Sequence, residues 1–291
     1  MIFISTGGFY SRSAIESVSE LLQYGIKEVE LSGGKYSETQ ETELIKLRDK
    51  LQLQVHNYFP PPKESFVFNL ASADKDLSER SVQHVQSAMR LAVDLGRPVY
   101  SFHAGFRINP ATSELGQRLK KRKLCDRTTA LKIFRKNVLM LASEAEKLGV
   151  TLLIENNVLS ATNFSVFNED PLLLTNPDEI VSFMQDMPDN VRLLLDVAHL
   201  KVSANTLGFN LIDAHAQMEP WIQGYHLSDN DGLEDSNQVV TEDSWFWDII
   251  NPNLDYYTLE IYRVPCSELV CQYELVKNKL LSKRIISEKV L

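Results

Sequence analysis

At 291 residues and 44% hydrophobic content, the chain can bury a large core and has room for one α/β barrel or two small domains. A formal net charge of -9 argues against a broad nucleic-acid footprint, because phosphate binding needs a positive patch. The three cysteines, Cys125, Cys266 and Cys271, are odd in number and fit no CxxC spacing, which speaks against a disulfide framework or a thiolate zinc site and makes a reducing cytoplasm the expected setting.

The N-terminal MIFISTGGFYSRS carries no basic leader or cleavage pattern. No segment approaches the ~18 uninterrupted apolar residues of a membrane span, so a soluble, unexported chain without membrane partners is expected. Strand-like runs then recur along the chain: IFIS near 2–5, EVEL at 28–31, LQVH at 53–56, VYSFH at 99–103, TLLIE at 151–155, RLLLD at 192–196, IQGYH at 222–226 and YTLE at 257–260. Amphipathic stretches separate them. In SERSVQHVQSAMRLAVDLG the apolar Val82, Val85, Met89, Leu91 and Leu95 lean to one face, and Gly96 supplies a stop. In NPDEIVSFMQDM, Asn176 can cap, Pro177 suits the first turn and Glu179 sits at the third position. No low-complexity linker divides the chain, so one domain over residues 1–291 is the simpler account. Eight strand-helix units in a chain of this length predict a closed, parallel (β/α)8 TIM barrel, in which functional groups gather at the carboxyl ends of the strands. An open doubly wound sheet is the alternative, but no GxGxxG follows the first strand.

Four of these runs end in a side chain that can bind a metal: Glu155, Asp196, His226 and Glu260. Their separations of 41, 30 and 34 residues each match about one barrel unit. Three oxygens and one nitrogen suit a divalent ion such as Mn2+, Mg2+, Co2+ or Zn2+, with positions left for substrate oxygens. Such an ion would polarise a hydroxy-carbonyl substrate, and Glu155 and Glu260 are the candidates to move its proton. Any one strand-terminal carboxylate is more often a helix cap or an ion-pair partner, but four at successive strand ends are not readily explained that way. His56 and His103 close two further strands, and His199 stands one helical turn after Asp196; these are candidates for a second metal or for substrate binding. His84 and His215 fall within helical stretches and are expected to be structural or surface residues.

Taken in order, VHNYFPPP, FHAG, IENN, LDVAH, YHLSDNDG and LEIY resemble the xylose isomerase-like TIM-barrel superfamily over nearly the whole chain. That superfamily includes sugar isomerases and epimerases, hydroxypyruvate isomerase, inosose dehydratase and endonuclease IV. In its epimerase branch the resemblance implies one metal on Glu155, Asp196, His226 and Glu260, proton exchange by the two glutamates, and His199 against the substrate. In its endonuclease branch it implies a first zinc on His56, His103 and Glu155, a second on Glu155, Asp196, His226 and Glu260, and a third on His199 with an Asp-x-His pair. Here Asp235-Ser236-Asn237 replaces that pair, and Thr241-Glu242-Asp243 replaces a Gly-Glu-Gly that often follows. An amide cannot replace an imidazole there, so one or two ions are expected, with Asp235 kept as a candidate second-metal or substrate residue.

The expected activity is a metal-dependent isomerisation or epimerisation of a small sugar or sugar phosphate through an enediolate. An endonuclease IV-like phosphodiesterase acting at abasic sites and a dehydratase or lyase on the same site are the alternatives. The partner is then a small carbohydrate, with nucleic acid disfavoured and a homo-oligomer left open. The loop from Ala104 to Arg127, with the run Lys120, Lys121, Arg122 and Lys123, could lid the site or grip a phosphate tail, although such a run is more often a solvated face. Arg107 and Arg263 are candidates for a substrate clamp. The stiff loop through Tyr58, Phe59 and Pro60 to Pro62 is read as cover for the barrel mouth, with insertion beside a base as the other reading.

Overall fold

All eight apolar runs become parallel strands, and hydrogen bonding between the first and the last closes the ring. The computed structural model describes residues 1–9 and 12–290. The strands are β1 (Ile2–Ser5), β2 (Glu28–Leu31), β3 (Gln52–His56), β4 (Val99–His103), β5 (Thr151–Glu155), β6 (Val191–Asp196), β7 (Ile222–Leu227) and β8 (Tyr257–Leu259). The helices are α1 (Ala14–Gln23), α2 (Gln40–Leu47), α3 (Lys75–Asp94), α4 (Arg127–Leu148), α5 (Ala161–Phe167), α6 (Pro177–Met184), α7 (Val197–Leu207), α8 (Leu211–Met218) and α9 (Cys266–Val290). No helix among the described residues is long and apolar enough to cross a membrane.

Alternation along each strand sorts the side chains into two cores. Residues such as Ile4, Val29, Leu31, Val55, Tyr100, Ile154, Leu195 and Tyr257 join the large cluster that packs under the helices. Phe3, Leu153, Leu194 and Tyr256 form a separate small cluster in the barrel interior. Arg97 lies over the Phe3 ring at 4.7 Å and donates to Gln54 Oε1 at 2.7 Å, so the lower interior is filled as well.

Local signals set the helix ends. The third helix begins a turn earlier than its apolar pattern predicts, because the Asp74 carboxylate caps it by accepting from the Leu77 amide at 3.0 Å. Gly96, at φ +79°, ends it as expected. Asn176 caps α6 by accepting from the Glu179 amide at 3.0 Å, but the Glu179 carboxylate turns away to Arg127 and the Leu174 amide. Between β6 and β7 the register slips at Leu193/Leu194, which brings Gly224 opposite Leu194. A methyl on Gly224 would stand 2.8 Å from the Tyr256 ring and 3.0 Å from its carbonyl oxygen. The missing side chain is what lets that tyrosine lie across the barrel.

The loops after β3 and β4 brace each other. The Tyr58 ring stacks on His84 and its hydroxyl accepts from the Phe66 amide at 2.6 Å, Phe59 is fully buried, and the Asn69 amide donates to the carbonyls of Phe106 and Ile108. These aromatics are therefore packed cover, as the stiff-loop reading expects, and do not project as a wedge. Of the basic run, Arg122 is tied to the buried Glu114 and to the Asn109 carbonyl, while Lys120, Lys121 and Lys123 are exposed. His84 and His215 are buried and hydrogen-bonded, to the Asn57 carbonyl and the Tyr225 hydroxyl, which makes both structural.

Substituting Gly224→Ala should cost about 1–3 kcal/mol of stability, because the Tyr256 ring has no free volume to retreat into. Urea unfolding of the two proteins measures it.

Candidate metal centre

Strand polarity alone brings the predicted residues to one end of the barrel, and strand register then pairs them. His103 lies beside Glu155 across β4 and β5, and Asp196 beside His226 across β6 and β7. The eighth strand ends at Leu259, and Glu260 follows as the first residue of the loop, its amide still bonded to the Leu227 carbonyl at 3.1 Å. Glu155, Asp196 and His226 are fully buried, His56 and His199 nearly so, and the His103 side chain is 28% exposed at the mouth.

Two ligand groups share Glu155. One atom each from Glu155, Asp196, His226 and Glu260 lies within 4.8 Å of the others, and the same holds for His56, His103 and Glu155. Oε1 of Glu155 is 3.2 Å from His226 Nδ1 and 3.6 Å from His199 Nδ1, whereas Oε2 is 3.2 Å from His103 Nδ1 and 3.4 Å from His56 Nε2. Both Glu155 oxygens, Asp196 Oδ2 and the Nδ1 atoms of His226 and His103 are buried without a hydrogen-bond partner. Buried polar atoms are rarely left so, and several aimed into one space fit a bound cation.

Around these groups the neighbouring residues fix orientation. The Asp196 carboxylate caps α7, accepting from the His199 amide at 2.7 Å through Oδ1 and leaving Oδ2 for the site. Asn156 accepts from the Asp196 amide and donates to its carbonyl, while its own carbonyl sits 2.8 Å from His199 Nδ1. With Nδ1–H spent on that carbonyl, His199 Nε2 faces Asp235 Oδ2 at 3.3 Å. Asn157, next along IENN, donates to the carbonyls of Ala104, Gly105 and Leu173 and so pins the β4 loop. Glu260 Oε1 accepts from the Ser5 and Tyr262 hydroxyls at 3.3 and 3.1 Å, which turns Oε2 toward His226 Nδ1 at 3.5 Å.

Charge is shared out accordingly. Burial alone would raise the Glu155 carboxyl, but His103, His226 and His56 hold it well below the usual range. Burial also opposes ionisation of Glu260, yet His226 keeps it down at about 2. Asp196 goes the other way, pushed up to about 7 by burial and by the neighbouring Glu155 and Asp235. Burial works against a charged ring at His226 and His199, but Glu30, Glu260 and Glu155 around the first, and Asp196 and Asp235 around the second, raise both well above the ordinary value. Burial takes His103 down to about 4.

All eight predicted site residues converge on the mouth, Asp235 included. Of the two proposed clamps, Arg107 does not. Arg107 is buried and held by the Cys125 carbonyl, the Glu169 carboxylate and the Asp170 carbonyl, while Arg263 is exposed. Asn237 serves through its backbone: it sits at φ +48° and its carbonyl accepts from the Tyr262 amide. Sequence reasoning passed over Glu30, a fully buried carboxylate 3.0 Å from His226 Nε2. Its signal was available in EVEL, where Val29 and Leu31 face the helices and the glutamate between them must face inward.

Fold and site together define a parallel α/β barrel with a buried carboxylate-imidazole cluster at its carboxyl-terminal mouth. The xylose isomerase-like TIM barrel family model matches residues 18–252, and the chain belongs to that family. Among solved structures, a D-tagatose 3-epimerase-like protein superposes at a TM-score of 0.73 with 18% identity, covering 100% of this chain and 99% of the other. An L-ribulose 3-epimerase gives 0.69 at 17% identity with 99% and 97% covered. Endonuclease IV from Thermus thermophilus gives 0.58 at 18% identity with 97% and 98% covered. No match to a curated protein sequence was found.

In chelator-treated protein the raised Asp196 carboxyl makes a stability prediction. A carboxyl whose folded pKa stands above its ordinary 3.8 contributes stability that is full below that value and is lost as the pH rises through about 7. The Asp196→Asn variant keeps a side-chain oxygen to cap α7 but has no charge to bury. It should therefore gain on the wild type as the pH is raised from about 5 to about 8, measured by urea unfolding at each pH.

Proposed function

We propose that this chain is a divalent-metal-dependent isomerase or epimerase acting on a small sugar or sugar phosphate. The observation that carries this reading is the set of unpartnered buried atoms on Glu155, Asp196 and His226, which with Glu260 offer ligand atoms within 4.8 Å of one another. Glu155, Asp196, His226 and Glu260 would hold the ion, and Mn2+, Mg2+, Co2+ and Zn2+ all suit three carboxylates and one imidazole. A divalent ion there supplies Lewis acidity toward two neighbouring substrate oxygens, which lowers the pKa of the C–H bond between them.

The residues of the chain do the rest. Glu155 and Glu260 are both held ionised, which leaves either open to accept a proton although a low pKa makes each a weak base. One carboxylate takes the proton from the carbon beside the carbonyl, and the C–H electron pair moves into the carbonyl to give the substrate enediolate. For isomerisation the same carboxyl would return its proton to the adjacent carbon; for epimerisation the other glutamate would take a proton from solvent and deliver it to the opposite face, and the first would release its proton to solvent. The two glutamates come from β5 and from the loop residue after β8, which supports assigning them separate roles. His199, with Nε2 toward Asp235 at the mouth, is placed to meet a substrate hydroxyl.

One observation favours a second reading, an endonuclease IV-like phosphodiesterase: the His56, His103 and Glu155 group could hold a further ion. Against it stand Asn237 in place of a third-site histidine, the inward packing of Tyr58 and Phe59, and the acidic balance. A dehydratase or lyase would share the first proton abstraction and differ in losing a leaving group from the enediolate.

Metal uptake tests the shared premise, and substrate assays separate the readings. Saturating metal should stabilise the chelated protein, by about 2.7 kcal/mol at a hundred times Kd. Incubation with a ketose panel in deuterated water should place deuterium at the reacting carbon, and no exchange with any sugar would count heavily against an isomerase. Glu155→Gln and Glu260→Gln should each reduce that exchange at least ~10²-fold with the fold intact, and an active variant removes that glutamate from proton transfer. Chelator-sensitive cleavage of an abasic-site duplex would promote the phosphodiesterase instead.

A further inference from the structure

Beneath the ligand atoms, a buried hydrogen-bonded chain joins the two histidines that face the site from opposite ligand groups. Glu30 lies at its centre. Its Oε2 accepts from His226 Nε2 at 3.0 Å, from Thr258 Oγ1 at 2.8 Å and from the Tyr256 hydroxyl. The Tyr256 oxygen is also 2.8 Å from Ser101 Oγ, and Ser101 Oγ is 2.9 Å from His56 Nδ1. Every member is buried: Glu30, Ser101, Thr258 and His226 are fully enclosed, His56 is 1% exposed and Tyr256 2%.

Two of these contacts leave the donor open, but the carboxylate settles both. An ionised carboxylate only accepts, so the single Tyr256 hydroxyl proton points at Glu30. The Tyr256 oxygen must then accept from Ser101, which spends the only Ser101 proton. With that proton gone, Ser101 Oγ can only accept from His56, whose ring proton therefore sits on Nδ1. His56 Nε2 is left bare toward Glu155, 3.4 Å away. On the other arm His226 gives its Nε2 proton to Glu30, which leaves Nδ1 to face Glu155 and Glu260 at 3.2 and 3.5 Å.

We infer that Glu30 is a positioning residue that selects, through one oxygen, the metal-facing nitrogen of both histidines: Nδ1 of His226 directly, and Nε2 of His56 by way of Tyr256 and Ser101. For His226 this rests on the metal reading given above, and for His56 on a further ion at the His56, His103 and Glu155 group. Glu30 also lies within ligand distance of His56, His226 and Glu260, but the geometry favours orientation over ligation. Three donors fill Oε2 and Oε1 is buried without a partner, but the His226 nitrogen nearest Glu30 is the one that donates to it, so an ion reached through His226 lies on the far side of that ring. An outer carboxylate on a ligating histidine fixes its tautomer and strengthens it as a ligand, and losing such a partner typically costs 10–100-fold in metal affinity.

Histidine 15N NMR on the zinc-loaded protein, together with zinc affinity by competition with a chromophoric chelator, tests this. The wild type should show a protonated Nδ1 on His56 and a protonated Nε2 on His226. Glu30→Leu, which leaves no acceptor, should weaken zinc about 10–100-fold and scramble both rings. Glu30→Gln can set its amide oxygen where Oε2 stands and should restore both tautomers and most of the affinity. Tyr256→Phe cuts one arm only, so the His56 proton should redistribute while His226 keeps its Nε2 proton, a split that general loosening of the barrel would not produce. If Glu30→Leu fails to fold, Tyr256→Phe decides alone.

A wild-type His56 protonated on Nε2 alone, or a folded Glu30→Leu with both tautomers and the affinity unchanged, overturns the inference. A wild type that takes up no zinc overturns the metal reading instead, and the His56 ring read in the metal-free protein at about pH 8 still decides the selection by Glu30.

Discussion

Everything at the mouth of this barrel follows from the need to keep carboxylates ionised out of water. Glu30, Glu155 and Asp196 are fully buried, Glu260 is 6% exposed, and Asp235 leans in beside them. Buried charges persist only when paired, and here the partners are imidazoles, which cannot neutralise so many acids at once. The site divides the burden unevenly. Glu155 and Glu260 stay ionised against His226, while Asp196, pressed by Glu155 and Asp235, is the group that keeps a proton near neutrality. Several carboxylates with unpartnered oxygens in so small a space are the arrangement a cation could occupy.

The same economy explains which surrounding residues are polar. Asn156 and Asn157 are buried amides whose side chains bond to backbone groups of β6, the β4 loop and Leu173, so they tune geometry without adding charge. Ser5 and Tyr262 steady Glu260 in the same neutral way, and the bare backbone at Gly7 gives the Tyr262 ring its room, since a methyl there would stand 2.2 Å from the phenol oxygen. Ligand-capable groups point inward and neutral hydrogen-bonding groups stand behind them, an arrangement that parallel strands with strict alternation deliver readily.

Much of this was legible in the chain. Eight apolar runs at barrel spacing predicted the fold, and the residues that close them predicted the inward ligands, because strand polarity sends every carboxyl end to the same mouth. What stayed hidden depends on depth and on long-range contact. Glu30 precedes the last residue of its strand, so no strand-end rule marks it, and Tyr256 falls just before the residues of β8, where its neighbour Tyr257 packs outward. Arg107 reads as a free cation in GFRINP; only the folded loop reveals Glu169 and the Asp170 carbonyl waiting for it. The early start of α3 at Asp74 was likewise a capping event, invisible to apolar periodicity.

The two oxygens of Glu155 look in different directions, one toward His226 and His199, the other toward His56 and His103. One anion thus belongs to both halves of the mouth. Positive charge bound on one half would withdraw electron density from the oxygen that serves the other, so any occupancies of the halves would be thermodynamically linked. Filling would proceed in unequal steps, and the ratio of ion to protein would answer to concentration and competing protons as much as to the count of side chains. If both halves took an ion, the shared carboxylate would couple the two occupancies, where separate carboxylates would leave them independent.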